Sequence, residues 1–147
     1  MKKIFLYLLM LSSIFFSNCN KIDRHQVYLN HLTDAEYSIK DALNYLDRVD
    51  PYSSSGFKDA YKYADEAWNS VKAAHDLAKA EGQDVAARKC EHVINDALGT
   101  AVMQLESLAE FKDRSSKHVK WFHQGAREYL SESADLLEGA KKASWNN

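Results

Sequence analysis

Six histidines, two cysteines and three methionines carry the ligand chemistry of this chain, and their spacing decides what they can hold. A di-metal carboxylate centre in a helical bundle needs Glu-x-x-His on two helices, and no Glu here is followed three residues later by His. Covalent haem attachment needs Cys-x-x-Cys-His, which is also missing from the sequence. A non-covalent haem would draw its axial ligands from His75 or His92 with Met103. Cys90 and His92 are two residues apart, which on a helix sets them about 200° apart, and His118 and His123 diverge in the same way. Neither pair can chelate one ion, so a metal would need His75, Cys90 or His92 joined by a ligand from another helix. No glycine-rich phosphate loop, nucleophile signature or marked carboxylate pair is present in the sequence. The expectation is a non-catalytic chain without a cofactor, with Cys90 serving as a small apolar core residue. The alternative is a carrier of metal, haem or a small ligand in a bundle interior.

Protein recognition is the other chemistry the residue types suggest. Tyr37, Tyr63, Trp121 and Trp145 fall off the apolar seams described below, and Lys117, Lys120 and Arg127 cluster near Trp121. Aromatics and arginine on an exposed helix face are the usual material of binding hot spots. Trp121, Lys117, Lys120 and Arg127 are therefore the expected interaction face. Gly125 and Gly139 on the same segment would either open a groove or admit a neighbouring helix.

The N-terminus reads as an export signal. Lys2 and Lys3 precede an apolar run from Ile4 to Phe16, interrupted only by Ser12 and Ser13. A run of about 13 residues is well short of the roughly 20 that span a bilayer as a helix. The residues that end it, Phe16-Ser17-Asn18-Cys19, resemble the lipobox of bacterial lipoproteins, where cleavage falls just before a cysteine that carries diacylglycerol. The usual pattern has Leu at the position of Phe16 and Gly or Ala at that of Asn18. The resemblance implies that residues 1–18 are removed and that Cys19 is lipidated, anchoring the chain to a bilayer. Asn20, in place of the aspartate associated with inner-membrane retention, implies the periplasmic face of the outer membrane. An ordinary secretory signal is the alternative, and Cys19 would then be free to bridge Cys90.

With residues 1–18 removed, Lys2 and Lys3 leave the count of 19 basic residues, so 17 face 21 acidic ones and the mature formal charge is −4. That balance, with charges mixed along the chain, excludes nucleic acid as an expected partner and offers no polybasic patch for lipid headgroups. The expected partners are a bilayer, through the acyl chain, and an envelope or incoming protein.

The mature chain is long enough for one domain. Past a tether at residues 19–27, residues 28–147 show helical periodicity throughout. Tyr28, Leu32, Ala35, Ile39, Ala42, Leu46 and Val49 form the first seam, with a capping-box spacing at Thr33 and Glu36 and a stop at Asp50-Pro51. Phe57, Ala60, Ala64, Ala67, Val71, Ala74 and Ala78 form the second, flanked by Tyr61, Trp68 and His75. Gly82 is expected as its left-handed cap and Asp84 as the cap of the next helix. Ala87, Cys90, Ile94, Ala97, Ala101, Leu108 and Phe111 form the third, flanked by Leu98 and Leu105, with Gln104 as its one polar interruption. After a turn at Asp113–Ser116, Val119, Phe122, Ala126, Tyr129, Ser133, Leu136 and Ala140 form the fourth, widened by Leu130 and Leu137. The spacing predicts an all-α fold, an antiparallel up-down four-helix bundle behind a cleaved signal.

Overall fold

A computed structural model describes residues 23–52, 56–110 and 117–146. The expected signal, Cys19, the serines after Tyr52, Phe111 and the Asp113–Ser116 turn lie outside them. The described chain is a helical bundle of four rods, and among the described residues there is no strand. The rods are α1 (Arg24–Arg48), α2 (Gly56–Ala80), a third made of α3 (Asp84–His92), a π-helical turn (Val93–Leu98) and α4 (Gly99–Glu110), and α5 (Lys117–Lys141). Among the described residues no helix is long and apolar enough to cross a membrane.

Helix α1 begins earlier than the capping-box spacing suggests. Asp23 is the cap, its side chain accepting from the Gln26 N–H at 3.2 Å, so residues 24–27 belong to the helix and not to a tether. The Thr33 hydroxyl instead donates back to the Leu29 carbonyl at 2.8 Å inside the helix. At the other end Val49 is extended, and the Tyr52 N–H closes onto the Asp50 side chain at 3.0 Å across Pro51. Helix α2 ends as the glycine predicts. Gly82 has φ 69°, its N–H reaches Lys79 O, and the Gln83 N–H reaches Ala78 O, the paired bonds of a left-handed cap. Asp84 does not cap the next helix; Gln83 holds that position, and its side chain serves the C-terminus.

The first seam is buried from Tyr28 to Leu46 and the second at all seven positions. Five of those seven are alanine, which lets neighbouring backbones come close. The third and fourth seams depart from the simple period. The π-helical turn carries the Gly99 N–H back to Ile94 O, one residue further than an α-helical bond. Val93 rather than Ile94 then fills the core, and Ile94 is only partly buried. In α5, Leu130 and Leu137 lie in the core, while Tyr129 and Leu136 sit at its edge. A wide apolar stripe leaves the period alone unable to choose between adjacent positions.

Contacts between rods join the start of one to the end of its neighbour. Arg24 meets Glu81 at 3.6 Å and the Tyr28 hydroxyl bonds Ala140 O, while Lys141 at the end of α5 pairs with Glu36 midway along α1. At the opposite end His123 Nε2 donates to Leu46 O at 3.1 Å and Arg127 Nε to Asp47 at 2.7 Å. The His123 bond satisfies a last-turn carbonyl of α1 that has no partner within its own helix.

Two glycines mark tight places, one within the third rod and one between the third rod and the fourth. A Cβ on Gly99 would come within 2.8 Å of the Ile94 carbonyl oxygen, and one on Gly125 within 2.4 Å of the Gln104 side-chain oxygen. The polar interruption of the third seam thus docks on the bare backbone of α5. Gly139 faces open space.

These three sites predict an order of stability. Gly99→Ala meets backbone and costs about 1–3 kcal/mol. Gly125→Ala meets a side chain that can swing aside and costs less, and Gly139→Ala gains up to about 1 kcal/mol from helix propensity alone. Urea unfolding of the three variants checks that ranking.

Candidate functional site

The fourth rod opens with Lys117, His118, Val119, Lys120 and Trp121. Val119 is the buried residue of this turn, which leaves the side chains on either side of it facing outward. Trp121 is 64% exposed and rests edge-on against Phe122, with ring centroids 5.0 Å apart. Phe122 packs on the core, so it backs the indole from below. Beside the indole is a shallow groove of about 360 Å³ lined by Tyr52, Lys117, Lys120, Trp121 and Gln124. Tyr52 comes from the turn after Pro51 and is 54% exposed. Two aromatic rings from distant parts of the sequence therefore share one groove at the end of the bundle where α1 stops and α5 starts.

The expected face is partly assembled. Trp121, Lys117 and Lys120 come together, while Arg127 turns to α1 and pairs with Asp47, where it ties two rods. Gln124 also bonds Glu128 at 2.9 Å. Sequence reasoning passed over Tyr52 and Gln124. The signal for Tyr52 was topological: an aromatic just past the end of the first rod must lie near the start of the fourth if consecutive rods alternate in direction. Gln124 lies one turn beyond Trp121 on the same face.

The other aromatics set apart from the seams have separate roles. Tyr63 stacks on Tyr45 at 5.4 Å between α1 and α2, and Tyr37 is exposed on α1. Trp145 lies over His25 at 5.2 Å and Tyr28 at 5.0 Å. The next residue is fixed as well: Gln83 Nε2 donates to Asn146 O at 2.7 Å, and the Asn146 N–H donates to Gln83 Oε1 at 2.9 Å. The C-terminal residues are thus latched to the starts of the first and third rods.

The histidines and the buried cysteine do not converge. His92 is largely exposed and bonds Asp96 at 2.8 Å. Met103 is also exposed, at 60%. His75 lies between Asp76 at 2.9 Å and Glu91 at 3.1 Å, in a separate groove of about 220 Å³ whose apolar lining is Trp68 and Ile94. Lys72, at 2.7 Å, and then His75 hold the Asp76 carboxyl below its usual range. Among the described residues no group of three or more His, Cys, Asp or Glu side chains is placed to hold a metal ion.

Cys90 is a free, fully buried thiol 3.7 Å from the Tyr28 hydroxyl. That hydroxyl gives its proton to Ala140 O at 2.8 Å, which leaves the thiol to donate weakly to the phenol oxygen. Burial pushes the Cys90 thiol up to about 11 and raises the Tyr28 phenol further above its ordinary value. Both groups are neutral when protonated, so folding favours the protonated forms. The thiol's contribution is complete below about pH 9, its unfolded value, and is lost as pH rises through about 11, while the phenol adds to the fall only above its ordinary value of 10. Thermal melts from pH 8 to 11 are expected to fall over that range, less steeply in Cys90→Ala, and native Cys90 is expected to resist alkylation until the protein is unfolded.

No family model matches the chain, and neither a curated protein nor a solved structure matches it.

Proposed function

We propose that this chain is a small exported, lipid-anchored bundle that acts as a non-catalytic protein-interaction module at the bacterial envelope. The observation that carries the reading is the Trp121 groove. An indole left 64% exposed on a compact helical domain, with a tyrosine and two lysines beside it, has the composition of an interface centre. The signal-like N-terminus, with its lipobox-like Phe16-Ser17-Asn18-Cys19, supports export and an acyl anchor on Cys19.

In the sequence Cys19 comes a few residues before α1, and the Trp121 groove lies at the end where α1 stops. With 25 residues at about 1.5 Å each, α1 itself runs roughly 37 Å from Arg24 to Arg48. A bundle tethered at Cys19 would hold the groove away from the bilayer, facing a partner. With Asn20 after the anchor, the periplasmic face of the outer membrane is the favoured site. An immunity or exclusion role against an incoming protein and an accessory role in envelope assembly both fit this arrangement.

Two measurements test the reading. The N-terminal peptide of detergent-extracted protein is expected to begin at Cys19 with diacylglycerol attached; an unmodified N-terminus would remove the anchor. Partners cross-linked to the native protein in envelope preparations are expected to fall about tenfold with Trp121→Ala, while Tyr37→Ala, on an exposed aromatic elsewhere, leaves them unchanged.

A further inference from the structure

We infer that the Trp121 groove takes an acidic segment of a partner protein, one that places a carboxylate beside an apolar side chain. The inference rests on the reading of this face as the contact surface and adds the chemistry of what it contacts. Its first support is the charge of the lining. Among the described residues, Lys117 and Lys120 are the only charged ones that line the groove, and neither makes an ion pair there. The contrast with the His75 groove is direct: there Lys72 is met by Asp76 at 2.7 Å, and His75 by Asp76 and Glu91. Among the described residues, the charges of one groove are matched within it and the two lysines of the other are not.

The second support is where the two lysines stand. A helix N-terminus carries partial positive charge and favours Asp or Glu in its first turn. The first turn of α5 has no acidic residue and opens on Lys117, with Lys120 following. Among the described residues no acidic side chain stands in that turn beside the two cations, and an incoming carboxylate would supply one. Exposed aromatics decide between kinds of anion. Tyr52 and Trp121 form an apolar wall that a free phosphate would leave unused, and two lysines offer little hold on a polyanionic surface such as a membrane or nucleic acid. A volume of about 360 Å³ matches one or two side chains of a peptide.

The test is selection of a displayed random peptide library on the folded mature chain, followed by binding of the enriched peptides to variants by fluorescence anisotropy. Enriched peptides are expected to pair Asp or Glu with an adjacent large apolar residue. Binding is expected to weaken about tenfold or more both in Trp121→Ala and in Lys117→Glu/Lys120→Glu, and to weaken with added salt. Peptides that depend on Trp121 but show no acidic excess, or bind the charge-reversed variant equally well, overturn the acidic inference and leave the contact face standing. Peptides indifferent to Trp121→Ala overturn the contact face itself. Vesicles of phosphatidylglycerol run in parallel, and binding to them through the two lysines, without peptide enrichment, also overturns the proposal.

Discussion

The buried hydroxyl of Tyr28 is the constraint around which this bundle is arranged. A phenol taken fully out of water must have a hydrogen-bond partner or the fold loses the desolvation energy of that group, on the order of 1–3 kcal/mol. Here the partner is the Ala140 carbonyl in the last turn of α5, and the phenol oxygen also faces the Cys90 thiol of the third rod. One side chain near the start of α1 thus fixes how far the fourth rod advances and which face of the third turns inward. The surrounding layer follows from that choice: Trp145 can lie on the Tyr28 ring only if α5 ends at this height, and Gln83 can hold Asn146 only if the third rod starts there.

The two ends of the bundle differ in kind. At the end that holds Tyr28, polar groups are matched: Arg24 with Glu81, Lys141 with Glu36, Gln83 with the backbone of Asn146. At the other, Arg127 pairs with Asp47, His123 bonds the Leu46 carbonyl and Gln124 bonds Glu128, while Lys117 and Lys120 make no ion pair among the described residues. The bonds near residues 23 and 146 therefore gather at one pole, and the exposed rings of Tyr52 and Trp121 stand at the other.

How much of this is legible in the sequence depends on how strictly geometry follows period. The second rod is fully legible, because a narrow stripe of alanines leaves only one face able to bury itself. The last is legible as a helix but not in its seam, since Leu130 and Leu137 compete with Tyr129 and Leu136 for the core and their size and shape decide the outcome. In the third rod the spacing of Cys90, Ile94 and Ala97 gives no hint of a π-helical turn, which exists because the backbone near Gly99 can come close enough to Ile94. Thr33 shows a motif outbid by a neighbour: its spacing with Glu36 is a capping box, yet Asp23 caps the helix ten residues earlier. Of the groove at the start of α5, Trp121 and its lysines are readable from the sequence, whereas Tyr52 joins them only through tertiary arrangement.

The latch formed by Trp145 and Asn146 has a mechanical meaning. Residues 23 and 146 lie at the same pole, so a pull applied between them does not run along any helix axis. Such a load falls first on the two ring contacts of Trp145 and on the two bonds between the Gln83 side chain and the Asn146 backbone, and it peels α5 from α1 one contact after another. A bundle in which residues 23 and 146 lie together is therefore weak to a force applied between them. Held at residue 23 and pulled at the Trp121 groove, the same molecule would carry the force in shear along α1 and α5.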